Sequence, residues 1–493
     1  MNEPEQISDL SEISWVSDLM AERLSASGDT TGIPYYHFRW KKKWLADFVA
    51  WPTTSEQVSS IIKLAATRKI PIVPRGGGTC YYGSASPTRG GIVVDTKTMD
   101  KILEINKEEQ WVHVGAGAVW EILDNDLRKE GYAVPVQPQS AVASTLAGWL
   151  AIGGKGGIGT PKYGSMVDNV LEMNVVRPDG TIETVTGDDM LPFFGTSGIA
   201  GIVTALKLKI IPLPEMTKGL MFAFQDLKQA IDAVNRLSKT KTPPVYLRLT
   251  DLEYEWRIQG GLPPKTKGLF FVLVTYSGDS DEVEESLMAA RGIFEIGGGM
   301  EMQQSYYEKN WEDRFIVEMK LKLEVPTLSM QNFWIPLDHV EPIVRRMYKI
   351  ASNYNINSCF YLVLGRPNKA RLCVFAPSDH RYWMHFMSGK SMLHKLVKMM
   401  YRQGGELYTF GLQNTVYIKR YQNEDYKRFI EIRNRWDQAG IMNPDKLTRC
   451  NLSYTRLNLM FTMNGYFRRL QVLLRRGKNI LEIPVSYQEV VSK

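Results

Sequence analysis

Apolar residues along this chain recur in two rhythms, and each predicts its own kind of element. Ile13, Val16, Met20 and Leu24 fall three and four apart, which predicts a largely helical start over residues 1–45. A helix is predicted from Thr54-Ser55-Glu56-Gln57, where a capping residue and an early acid precede Val58, Ile61, Ile62 and Ala65. An apolar stretch predicts a short buried strand at Ile70–Val73, and strand patterns recur at Gly91–Asp95 and Trp111–Val114. Gly115-Ala116-Gly117 then opens a helix through Trp120 and Leu123, and Val175-Val176 forms a strand before the turn Pro178-Asp179-Gly180. The pattern breaks around Pro212-Leu213-Pro214-Glu215, which marks a boundary. Beyond it come strands at Leu269–Val274, Phe333–Leu337 and Cys359–Leu364, with helices at Asp281–Ile296 and Val340–Asn353. This alternation suits an antiparallel sheet with helices on one face, and the fold class is α+β. Four units are expected, at 1–45, 46–215, 216–438 and 439–493.

At 493 residues the chain is too long for one ordinary core, and 44% apolar with 23% charged residues is an ordinary globular composition. The start, Met1-Asn2-Glu3-Pro4-Glu5-Gln6, lacks the basic and apolar parts of a secretory signal. No apolar stretch approaches the roughly 20 residues that span a bilayer. Cys80, Cys359, Cys373 and Cys450 have no paired or metal-type spacing, which fits a reducing cytoplasm. The net charge of +7 is modest for this size and argues against nucleic acid as a partner. It is concentrated, however: residues 446–481 hold eight Lys or Arg and no acid. Two readings of that stretch stand: a solvated helix packed on the N-terminal half, or a docking surface for an acidic partner or an anionic membrane face.

The candidate chemistry begins at Pro74-Arg75-Gly76-Gly77-Gly78-Thr79-Cys80-Tyr81-Tyr82-Gly83, directly after a predicted strand. Consecutive glycines free the backbone to take positive φ and to approach a ligand, and successive bared amides make a concave anion site. A tight glycine turn without a ligand has the same local sequence. Gly115-Ala116-Gly117 is no dinucleotide fingerprint, because Trp120 stands where the third glycine is required.

Further segments follow in order. They are Pro138-Gln139-Ser140, then Ala143 to Ala151 with the glycine-dense Gly153-Gly154-Lys155-Gly156-Gly157, then Tyr163-Gly164-Ser165 and Asp168-Asn169-Val170. Phe194 to Thr204 and, near the end, Ala439 to Lys446 complete the set. In this order and spacing the chain resembles the vanillyl-alcohol oxidase/p-cresol methylhydroxylase family, over about Val49 to Pro214. The resemblance implies an FAD-binding domain of two subdomains at 46–215, a substrate cap at 216–438 and a return to the FAD domain at 439–493. It implies FAD, held by Arg75, Gly76, Gly77, Gly78, Thr79, Cys80 and Gly83 around the pyrophosphate. Pro138, Ser140, Ser144, Thr145, Gly148, Trp149 and Ala151 would line the flavin, with Gly201, Ile202, Val203 and Asn443 beside it. Relatives with a tethered flavin carry a histidine where this chain has Thr79, so non-covalent FAD is expected.

Within the family the chain is most similar to the D-lactate, glycolate and D-2-hydroxyglutarate dehydrogenase group, through Trp311-Glu312-Asp313-Arg314 and Phe333–Leu337. That likeness implies that Arg314 holds a substrate carboxylate, which suits the parallel donors of a guanidinium. The group's two histidine-bearing metal motifs fall on Gly365–Leu372 and Gly404–Gly411, where this chain has no histidine, so no metal is expected. Arg366 then becomes the candidate fixed cation, and Tyr361, Tyr408 or His385 the candidate base. The expected activity is oxidation of a hydroxyl-bearing carbon of a small organic acid or alcohol by hydride transfer to flavin N5. Electrons would pass to an iron–sulfur or electron-transfer flavoprotein partner. A metal-independent sugar or aldonolactone oxidase, or a flavin subunit of a larger complex, are the alternatives. The protein is expected in the cytoplasm, with 446–481 the place for contact with the inner membrane face.

Overall fold

The computed structural model describes residues 9–31, 44–259, 269–365, 368–448 and 454–474. The first sheet runs in the order Trp15–Ser17, Phe48–Trp51, Ile92–Asp95, Ile72–Arg75. Its last three strands are parallel, and the helix Ser55–Arg68 makes the crossover that a parallel pair requires. The Thr54 hydroxyl accepts from the Gln57 amide, and Val58, Ile61, Ile62 and Ala65 face the core, as their spacing predicts. The N-terminal reading needs correction. Residues 9–13 and Met20–Ser27 are helical as expected, but Val16 lies in the strand Trp15–Ser17 between them, paired with Phe48–Trp51. Trp15 stacks on Trp51 with ring centroids 4.4 Å apart, so a tertiary pairing overrode the helical spacing.

A second, antiparallel sheet holds Ile102–Asn106, Trp111–Gly115, Ile202–Lys209, Val170–Val176 and Ile182–Thr186. Between its second and fourth strands in space the chain makes the excursion that carries the helices Trp120–Lys129 and Leu146–Ala151. Past Ile211–Pro212, which pairs with Tyr132–Ala133, the chain enters an eight-stranded sheet. Its order is Met300–Glu301, Met216–Phe224, Phe270–Gly278, Tyr246–Asp251, Cys359–Leu364, Lys369–Ser378, Thr327–Pro336, Glu406–Leu407, and every pairing is antiparallel.

The long helices do share one face of this sheet. Phe294 packs on Phe222, Tyr348 on Phe360, and Gly389 approaches Ala376 and Ser378. The other face is not bare. Short helices Gln304–Glu312 and Val317–Glu324 reach it, where Asn310 accepts from Arg248 and Glu318 accepts from Tyr361. Strand register puts Asn332, Trp334, Arg371, Cys373 and Tyr361 on that same face, turned towards the first half of the chain.

The end of the chain divides in two. Met442 bridges Ile72, and the Asn443 amide donates to the Ile72 carbonyl at 2.7 Å, which restores contact with the first sheet. The helix Tyr454–Leu474 instead lies along the helix Trp383–Arg402, through His394 against Phe461 and Asn464 against Ser391. The expected packing of this stretch on the N-terminal half is therefore replaced by packing on the second half.

Candidate functional site

Two clefts meet at Thr79, Cys80, Trp149 and Ile152. The first opens between the loop after Ile72–Arg75, the segment Ser144–Ile152 and the loop ending in Gly201. Arg75, Gly76, Gly77, Gly78, Thr79, Cys80, Ser144, Thr145, Gly148, Trp149, Ala151, Gly201, Ile202 and Val203 all line it. Pro138 and Ser140 line the second cleft, while Gly83 packs against Leu412 and Asn443 is buried behind the loops.

The three glycines do different work. Only Gly78 uses the left-handed region, at φ +65. A Cβ on Gly76 would overlap the Thr145 hydroxyl, and one on Gly77 the Ala143 carbonyl oxygen, so those two are needed for close approach. The floor between the loops is a chain of hydroxyls: Thr79 to Ser144 at 2.8 Å and Ser144 to Ser140 at 2.6 Å. The Arg75 guanidinium lies against Gly78 and donates to the Gly28 carbonyl at 2.6 Å. Burial, with Asp29 nearby, pushes the Cys80 thiol up to about 12 and keeps it protonated.

Asn443 ties this cleft together from behind. Its amide donates to the Ser84 and Ser197 carbonyls at 2.9 and 2.6 Å, and Lys446 donates to Asn443 and to the Ser86 carbonyl. Burial pulls the Lys446 amine down to about 7. Asp445, where the resembled motif has glycine, takes φ +62 and spends its carboxylate on Arg89 and Thr88. A backbone position suited to glycine is thus kept by an acid that gains an ion pair.

The second cleft lies between this floor and the inner face of the eight-stranded sheet. Gln139, Glu318, Asn332, Arg371 and Tyr408 line it. Arg371 is buried; it donates to Gln139 Oε1 and, at 3.1 Å, to the Tyr361 hydroxyl, which lies 2.7 Å from Glu318 Oε1. The Arg371 guanidinium sits 4.9 Å from the Tyr408 ring centroid, and Tyr408 donates to the Lys155 carbonyl at 2.6 Å. Burial raises the Glu318 carboxyl, and the Tyr361 hydrogen bond and the charge of Arg371 counter that rise only in part. Two buried atoms here lack a partner among the described residues: Arg371 Nε, a donor, and Asn332 Oδ1, an acceptor.

The structure places the sequence-based catalytic candidates unevenly. Arg314 lines neither cleft: it donates to the Trp311 carbonyl at 2.7 Å, and its guanidinium packs on the Trp311 and Phe315 rings. His385 also lies outside, accepting from the Asp379 amide. Arg366 lies outside the described residues. Tyr408 lines the cleft, and Tyr361 joins it through its hydroxyl. Arg371, Glu318, Gln139 and Asn332 line the second cleft and were not among the sequence candidates. A signal for Arg371 existed, since it is the lone charge in the apolar run Ala370–Ala376. Among the described residues no cluster of three or more His, Cys, Asp or Glu is placed to hold a metal.

Comparison with known proteins agrees with this architecture. Residues 46–186 match the family model "FAD binding domain", and residues 213–447 match "FAD linked oxidases, C-terminal domain". The chain is 26% identical over 451 residues to glycolate oxidase subunit GlcD of Bacillus subtilis, covering 87% of this chain and 93% of that one. It is 25% identical over 411 residues to D-lactate dehydrogenase of Archaeoglobus fulgidus, covering 81% and 90%. The solved structure of p-cresol methylhydroxylase with substrate bound shares the fold, at a TM-score of 0.77 and 16% identity, over 91% of this chain and 97% of that one. The first cleft, with glycines where side chains would collide and hydroxyls along its floor, fits FAD as the cofactor.

Proposed function

This chain belongs to the FAD-linked oxidases, and on that premise we propose that it oxidises the hydroxyl-bearing carbon of a small hydroxy acid in the second cleft. The observation that carries this reading is Arg371: a buried guanidinium with a free donor, in a cleft that shares four lining residues with the flavin cleft. Arg371 meets Glu318 only through the Tyr361 hydroxyl, and a buried guanidinium with an unmet donor is costly, so a substrate carboxylate supplies a direct partner. FAD, when bound, accepts the hydride from the substrate carbon. The rest of the chemistry belongs to the protein.

Arg371 holds the carboxylate and fixes the substrate's orientation, and Gln139 keeps the guanidinium in place from the flavin side. Asn332 Oδ1 accepts a hydrogen bond from a substrate hydroxyl. Glu318 takes the proton released on oxidation, directly or through the Tyr361 hydroxyl, and its burial raises its basicity. The fixed charge of Arg371 does the electrostatic work that a Lewis-acidic metal does elsewhere. FAD is held non-covalently, since Thr79 offers no imidazole and the Cys80 thiol stays protonated. Electrons leave to a separate carrier. The names of the relatives, a glycolate oxidase subunit and a D-lactate dehydrogenase, support a 2-hydroxy acid.

The test is anaerobic titration of the holoprotein with short 2-hydroxy acids, sugar acids and their uncharged alcohol counterparts, followed by flavin absorbance. Bleaching by an acid and not by its alcohol is the expected result. Bleaching by uncharged alcohols alone, or by no compound in the series, overturns the reading.

A further inference from the structure

We propose that the outer face of the helix Tyr454–Leu474 docks this protein onto an anionic membrane surface. The helix has two faces. Tyr454, Leu457, Phe461 and Gly465 turn inward to the helix Trp383–Arg402 and its neighbours, as the contacts with His394 and Tyr354 show. Leu459, Met460, Met463 and Tyr466 turn outward and are between 44 and 68% exposed. They fall at i, i+1, i+4 and i+7, so they form one apolar stripe. Asn458 meets His394 and Asn464 meets Ser391, so the two helices run antiparallel. The stripe therefore leads towards Tyr382 and Trp383 at the start of the partner helix, each more than half exposed. Tyrosine and tryptophan favour the boundary between headgroups and acyl chains, with one end apolar and the other wet.

Charge selects the occupant. The helices Trp383–Arg402, Gly411–Tyr421 and Tyr454–Leu474 contain no Asp or Glu, but they contain nine Lys or Arg: Lys390, Lys395, Lys398, Arg402, Lys419, Arg420, Arg456, Arg468 and Arg469. Arg402, Lys419, Arg420 and Arg456 are exposed. Asp379, beside the end of the stripe, is paired with Arg381 at 2.6 Å. A protein partner that buries the apolar stripe brings no general need for this absence of acids, whereas a bilayer with anionic headgroups does. The helix lies on the surface and does not cross it: no helix among the described residues is long and apolar enough to span a membrane.

The test is flotation of the holoprotein with phosphatidylcholine vesicles, with and without phosphatidylglycerol, at low and high salt. The wild type is expected to float with the anionic vesicles and to be released as salt rises. The paired substitution Met460→Glu, Met463→Glu is expected to weaken that binding at least about tenfold while the flavin absorbance stays intact, since neither residue is near the clefts. No flotation with anionic vesicles, or equal flotation of the substituted protein, overturns the proposal. So does a wild-type dimer that the substitution splits, which would give the face to a second copy, or retention on immobilised polyglutamate without vesicle binding, which would give it to an acidic protein.

Discussion

The two clefts are built by opposite strategies. The flavin cleft is made from loops that follow one another in the first half of the chain, and its fit depends on what is missing. Gly76 and Gly77 omit side chains that would strike Thr145 and Ala143. The second cleft is made from side chains that are present, gathered from distant elements: Gln139 from a loop, Glu318 from a helix, and Asn332 and Arg371 from neighbouring strands. Absence of a Cβ is a local property that a short stretch of sequence can encode. A convergence of side chains depends on strand register and on the whole cap.

This contrast is sharpest under substitution. The largest effect belongs to Gly77→Val, which drives side-chain atoms into the Ala143 carbonyl and is expected to yield protein without FAD absorbance, with the hydroxyl floor displaced. Next is Arg371→Met, expected to retain the oxidised flavin spectrum while kcat/KM for the hydroxy acid falls roughly a hundredfold to several-thousandfold. That range corresponds to about 3–5 kcal/mol for removing one partner of a buried charged contact. A variant that loses both flavin and activity would erase the proposed division of labour between the clefts.

Glu318→Gln follows, with kcat lowered by about a hundredfold, as for removal of a general base. A base works deprotonated, so wild-type kcat/KM falls as pH drops through the raised Glu318 pKa, and this acidic limb disappears in the Gln variant. A limb unchanged in Glu318→Gln places the base elsewhere. The smallest effect is expected of Lys446→Met, which cuts the tie from Ser86 to Asn443 behind the flavin loop and weakens FAD by about tenfold without changing substrate preference. Fluorescence of released FAD on dilution measures it. Acid precipitation should release the whole flavin from the wild type, because no covalent bond holds it.

The same contrast explains what the sequence made legible. The crossover helix was readable because Thr54, Glu56 and the spacing from Val58 to Ala65 all act locally. The flavin-lining segments were readable because their glycines and hydroxyls come in fixed order. Val16 was not, because its strand exists only through pairing with Ala50 across the chain. Arg314 was chosen for the substrate because it sits in a short motif, yet the turn Asp313–Phe315 lays it on Trp311 and Phe315. One helical turn onward, Glu318 reaches the cleft. Arg371 escaped because nothing in the sequence states which face of the strand Lys369–Ser378 looks at the flavin; the pairing of Arg371 with Trp334 and of Cys373 with Asn332 decides that.

Gln139 links the two strategies. It belongs to the flavin side, yet its carboxamide oxygen meets both Arg371 and Tyr361 of the cap. On the proposed reading, substrate recognition and cofactor retention would therefore be thermodynamically linked. An anion that orders Arg371 orders Gln139, and with it the loop reaching Ser140 and Ser144 on the flavin floor. By reciprocity, whatever factor FAD contributes to affinity for the acid, the acid returns to affinity for FAD. A protein working on scarce substrate would hold its flavin least firmly when idle and most firmly when engaged.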